Sequence, residues 1–176
     1  SDVVSSLESG DKTNLETIVN RDAEINRQYF LLVRLIRSTI MDARLANIFN
    51  LENIDILDYR IAANTLEIAG DTVVELSQSL IKSNLSKVEL KKLHDFAKNM
   101  EEIQIKSIDS FISNNRTLAI DAIRLQRNNA TKISKIRSSL ESKKQISLAF
   151  FDLIYMFEKI LQSWSDIADL VKPSYK

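Results

Sequence analysis

The stretch Arg60-Ile61-Ala62-Ala63-Asn64-Thr65-Leu66-Glu67-Ile68-Ala69-Gly70-Asp71-Thr72-Val73-Val74-Glu75 decides the fold. Ala63, Leu66, Gly70 and Val73 recur at intervals of three and four, and Tyr59 and Leu80 extend the row in both directions. That spacing lines up one face of a helix. The same rhythm runs through Leu15, Ile18, Ile25, Tyr29, Leu32 and Ile36, where Asp22 occupies a place in the row. It returns in Phe150, Phe157, Leu161, Trp164, Ala168 and Val171. The 176 residues include only two glycines, Gly10 and Gly70, and one proline, Pro173. Sheets and βα units need many tight turns, and tight turns draw on Gly and Pro. The expected class is therefore all-α, an antiparallel helical bundle with short links.

Helix starts are marked by three capping boxes, Thr13-x-x-Glu16, Ser86-x-x-Glu89 and Ser142-x-x-Gln145. In each the hydroxyl accepts from the N3 amide while the Glu or Gln reaches back to the cap. Breaks rich in Asn, Ser or Asp fall at 47–55, 83–86, 113–116 and 139–142. The pattern predicts about five long helices, roughly 14–49, 54–83, 87–113, 116–140 and 143–171. Sliding the second of these by 91 residues places Tyr59 on Phe150, Leu66 on Phe157, Glu67 on Glu158, Val73 on Trp164 and Leu80 on Val171. An internal repeat of a helical unit follows, with a division into 1–85 and 86–176. If each unit has three helices, the second is complete and the first lacks most of its leading helix, of which Ser1–Ser9 would be only the tail. The apolar surface that a missing helix leaves on 14–49 and 54–83 predicts self-association through these helices, hence a homodimer.

Composition excludes several classes of function. With no cysteine, disulfide scaffolds, thiol catalysis and thiolate metal sites are ruled out, and a reducing compartment is compatible. One histidine, His94, excludes a site of several His ligands, and a lone His beside Asp95 reads first as a core-edge residue. Gly-rich phosphate loops are absent. The 24 Lys and Arg balance 24 Asp and Glu, so no global basic excess points to nucleic acid. No apolar run approaches a membrane span, and none of the N-terminus reads as a signal peptide. A start at Ser1 without Met reads as a domain cut from a longer protein. Charge is uneven: 116–144 is basic and 51–75 acidic, a distribution suited to a solvated, mutually balanced surface or to an acidic partner.

The candidate chemistry lies at Glu67 and Asp71. They are spaced i, i+4, so both carboxylates project from one side of one helix and repel each other mildly. Gly70 between them costs about 1 kcal/mol relative to Ala. A bridging cation would turn the repulsion into a ligand pair, and a glycine would let a neighbouring helix or ion approach the backbone. Hard oxygen ligands suit Mg, Ca, Mn or iron, with Asp22 as the third ligand. The competing reading is a solvated acidic face with Gly70 easing helix packing.

The run from Arg60 to Glu75 resembles the signature helix of PhoU-domain proteins, in which a Glu/Asp-x-x-x-Asp metal motif sits in a Leu-Glu-Arg-Ile-Gly-Asp-His-Ala type sequence. Val19 to Arg34 resembles the second helix of archaeal-type members, and Phe157 to Asp169 a weaker second copy of the signature. The resemblance implies two tandem three-helix repeats, here with the first truncated. It implies a cytoplasmic, non-enzymatic regulator of phosphate uptake that contacts phosphate ABC transporter components or a signalling protein. It further implies iron or zinc held by Glu67, Asp71 and Asp22, with a weaker second site at Glu158 and Gln162. Gln162 stands where the repeat would have an acid, and Ile68 and Thr72 replace the Arg and His of the bacterial signature. Archaeal relatives often carry an N-terminal AbrB-type domain, so DNA contact is expected only through a domain outside this chain. Two rival readings remain at this point. One is a metal-free helical dimerisation module of a transcriptional regulator. The other is a carboxylate-bridged metalloenzyme, disfavoured because the sequence offers no Glu-x-x-His pair and no nucleophile–base set.

Overall fold

A computed structural model describes residues 2–141 and 148–171. Among these residues the chain forms helices and no strand: α1 (Asp2–Ser9), α2 (Thr13–Met41), α3 (Ala43–Ile48), α4 (Asn53–Lys82), α5 (Lys87–Ser113), α6 (Arg116–Glu141) and α7 (Leu148–Asp169). The all-α expectation holds. The division into repeats at 85/86 stays a proposal.

Local chemistry explains the boundaries. Ser86 caps α5: its hydroxyl accepts from Glu89 N at 3.3 Å, and the Glu89 carboxylate accepts from Ser86 N at 2.8 Å. Asn114 ends the helix in the left-handed conformation that Asn tolerates at this place. At α2 the predicted box is replaced. The Asp11 carboxylate, not Thr13, accepts from the first turn, taking Thr13 N at 2.9 Å and Thr13 Oγ1 at 2.7 Å. The third predicted box, Ser142 to Gln145, lies outside the described residues. A box not foreseen opens α4, where the Asp55 carboxylate accepts from Glu52 N at 2.8 Å.

The first long helix divides in two. Asp42 takes an extended backbone and caps α3, accepting from Arg44 N at 3.0 Å while its other oxygen pairs with the Arg44 guanidinium at 2.8 Å. These bonds to Arg44 hold the Asp42 carboxyl below the usual carboxylate range. α1, at the place where the tail of a leading helix is expected, buries Val3, Val4 and Ser6.

α7 sits at the centre, packed on α4, α5 and α6. Around Phe150, Leu153, Phe157, Ile160 and Leu161 it gathers Leu76 and Leu80 from α4, Leu93, Phe96 and Ile103 from α5, and Val3 and Val4 from α1. α2 packs on α1, α3 and α4, so its upper part and the first half of α4 form an arm, residues 25–68. A small separate cluster of Ile36, Ile56 and Ala63 holds the arm together.

Candidate functional site

The arm carries the acidic motif, and its surface is apolar. Of the 21 large apolar side chains exposed among the described residues, 15 lie in 25–68. Such concentration marks an interaction surface rather than the ordinary scatter of exposed apolar groups. The arm has two faces. On one side a trough of about 420 Å³ opens at the start of α1, between Ile25, Leu66, Gly70 and Trp164. The same side continues into a hollow of about 270 Å³ lined by Leu32, Leu35, Phe49 and Tyr59. The opposite side, half a turn round each helix, presents Phe30 and Met41 from α2 and Leu57, Ile61 and Ile68 from α4, all exposed.

Glu67 is half-buried and Asp71 exposed, both on α4. Asp22, the expected third ligand, is not gathered with them: its carboxylate stands 3.4 Å from Asn26 Nδ2, one turn along its own helix. Among the described residues no three of His, Cys, Asp and Glu converge where a cation would sit. Two carboxylates from one helix leave most of a cation's coordination shell to water, so these residues do not fit a resident iron or zinc. Gly70 is not needed for close packing either. A Cβ built there meets only Ile25 Cγ2 at 3.6 Å, an ordinary contact.

The second acidic position is engaged within the chain. Glu158 accepts from Arg137 Nη1 at 2.9 Å, and Gln162 donates to Asp166 at 2.7 Å while accepting from Gln126 at 3.4 Å. Arg137 accounts for part of the basic segment, and Arg124 for another part through Asp121 at 3.0 Å. Lys143 and Lys144 lie outside the described residues. His94 is mostly buried, with Nδ1 3.8 Å from the Asp95 carboxylate, a core-edge placement. None of the helices among the described residues is long and apolar enough to cross a membrane. The exposed outer face of the arm was the functional feature least visible beforehand. Its signal was Phe30, Leu57, Ile61 and Ile68 standing off the apolar rows.

Residues 1–80 match the family model of the PhoU domain. No curated protein and no solved structure matches the chain.

Proposed function

Residues 1–80 carry a PhoU domain, and from that premise we propose that the chain is a non-enzymatic regulator of phosphate uptake or phosphate signalling that acts through protein–protein contacts. The observation that supports this reading is the arm, which lies wholly within the matched residues and exposes apolar side chains on both faces. A surface of this kind suits docking, and nothing in the reading requires a bound metal. Transporter components or a signalling protein of the phosphate response are the partners the reading names. Its test is deletion of the gene in its own host, followed by measurement of phosphate uptake and of phosphate-responsive transcripts at high and low phosphate. Uptake that no longer falls when phosphate is plentiful, restored by the intact gene, is the expected result. Unchanged uptake and unchanged transcripts overturn the reading.

A further inference from the structure

We propose that the solvent face of α6 is a docking surface for the phosphate backbone of double-stranded nucleic acid. Arg116, Ile120, Arg124, Arg127, Thr131 and Lys135 recur at intervals of four and three, which places them on one face of the helix. All six are exposed, whereas Ala119, Ala122, Asn129 and Ile133 on the other side are buried. Lys132, also exposed, stands beside the row. From Arg116 to Ser138 the helix bears six cations and one carboxylate, Asp121, which Arg124 holds at 3.0 Å. Arg137 is occupied by Glu158 of α7 at 2.9 Å, and on the same flank of α7 the Asp166 carboxylate accepts from Gln162. Arg116, Arg127, Lys132 and Lys135 meet no carboxylate among the described residues. The chain as a whole is neutral, so this excess is local to one helix.

The make-up of the face selects the partner. Arginine and lysine interleaved with small hydroxyl and amide groups, here Thr117, Asn128 and Ser134, are the side chains that bond phosphate oxygens. A membrane surface takes up apolar side chains below its headgroups, and a protein interface is anchored by large side chains packed at its centre. Among the described residues Ile120 is the one large apolar side chain exposed on α6. From Arg116 to Lys135 the cations extend over about 28 Å of helix. Duplex DNA carries a charge every ~1.7 Å of its axis, so a straight row of this length meets several phosphates at once. Such contacts read no base; they bind any sequence by releasing counterions. The inference departs from the expectation that DNA contact needs a domain outside this chain. It is also independent of the arm, because α6 packs on α5 and α7.

The test is the fluorescence anisotropy of a labelled DNA duplex of arbitrary sequence, titrated with the whole chain. Saturable binding is expected at low salt. Four cations without a carboxylate partner should make the logarithm of the affinity fall with the logarithm of salt concentration with a slope of about −3.5. Arg127→Glu with Lys135→Glu weakens binding at least about tenfold, since two phosphate contacts become repulsions. The neutral pair Arg127→Gln with Lys135→Gln loses less affinity and brings the slope to about −1.7. Arg27→Glu with Arg34→Glu, exposed on α2, changes the net charge as much as the first pair and leaves the affinity within about twofold. Absence of binding at low salt overturns the proposal, and so do equal losses from the reversals on α6 and α2 or a slope that the neutral pair does not move. Binding to vesicles of phosphatidylcholine and phosphatidylserine, or to polyglutamate, as tight as to the duplex overturns it too, in favour of a membrane or an acidic protein.

Discussion

Tyr59 and Leu66 hold the same places on α4 as Phe150 and Phe157 hold on α7, 91 residues further on. Yet the first two are 42% and 40% exposed and the second two 1% and 0%. The rows are alike in spacing and in chemistry. The difference lies in what surrounds them. α7 is enclosed by α4, α5 and α6, whereas the first half of α4 packs on α2 and meets the rest of the bundle more sparsely, with Tyr59 edge-on to Phe111 of α5 at 5.4 Å and Leu66 across a trough from Trp164. The acids follow the same rule. Glu158 meets Arg137 from the neighbouring α6, and Glu67, its counterpart, meets no such cation among the described residues. A helical row specifies a face, and its neighbours together with its rotation against them decide whether that face is core or surface: beside the exposed Leu66, Thr65 and Ala69 are buried.

Truncation is the severest way to break the comparison. Phe157→Ala should cost about 3–5 kcal/mol of unfolding free energy in urea denaturation, because its ring is wholly enclosed. Leu66→Ala, at the equivalent place, should cost less than about 1 kcal/mol at dilutions that keep the chain monomeric. Equal losses would mean that the arm is as well covered as the centre.

A gain is expected from Gly70→Ala. The added methyl would sit in ordinary contact with Ile25 Cγ2 at 3.6 Å in a regular helical position, so it should stabilise the chain by about 1 kcal/mol, read as a raised midpoint in the same titration. A loss there would show that the close approach of a neighbouring backbone matters after all. Smaller still is the effect of the acids. Glu158→Gln should cost roughly 0.5 kcal/mol, declining with added salt, since both partners are about a third exposed. Glu67→Gln should leave the monomer's stability unchanged.

Much of this architecture was legible in the residues. Ser86 and Glu89 announced the start of α5, and its end at Ser113 followed from the Asn pair beyond it. The rows on α2 and α7 were correctly phased, whereas on α4 the buried face runs through Ala62, Thr65, Ala69, Thr72 and Leu76, about one residue round from the expected Tyr59, Leu66, Gly70 and Val73. What spacing could not convey was occupancy: Tyr59 and Leu66 belong to an apolar row whose third wall is incomplete. The break at Asp42 was missed because Thr39-Ile40-Met41-Asp42-Ala43 contains neither Gly nor Pro. Its cause is one side chain capturing the Arg44 amide. α1 was legible only as the tail of a longer helix; eight residues make a weak helix alone, and its stability comes from burying Val3 and Val4 against the core. At the acidic motif, spacing correctly paired Glu67 with Asp71 on one helix. The place of Asp22 depended on how α2 rotates against α4, which no single-helix pattern encodes.

α4 runs through both environments without a break, 30 residues and roughly 45 Å of continuous helix. Its C-terminal half, with Leu76, Ser77 and Leu80 buried, opens only when the whole bundle does. Its N-terminal half is tied down by Ile56 and Ala63 against Ile36 and by Tyr59 edge-on to Phe111 of α5. Local opening free energies fall where apolar contacts are few. The backbone amides of this one helix should thus exchange with solvent along a gradient, fastest near Ile54 and slowest near Leu76. α4 is rooted at one end and able to loosen at the other, and whatever grips its loose end sets how far the stiff part extends.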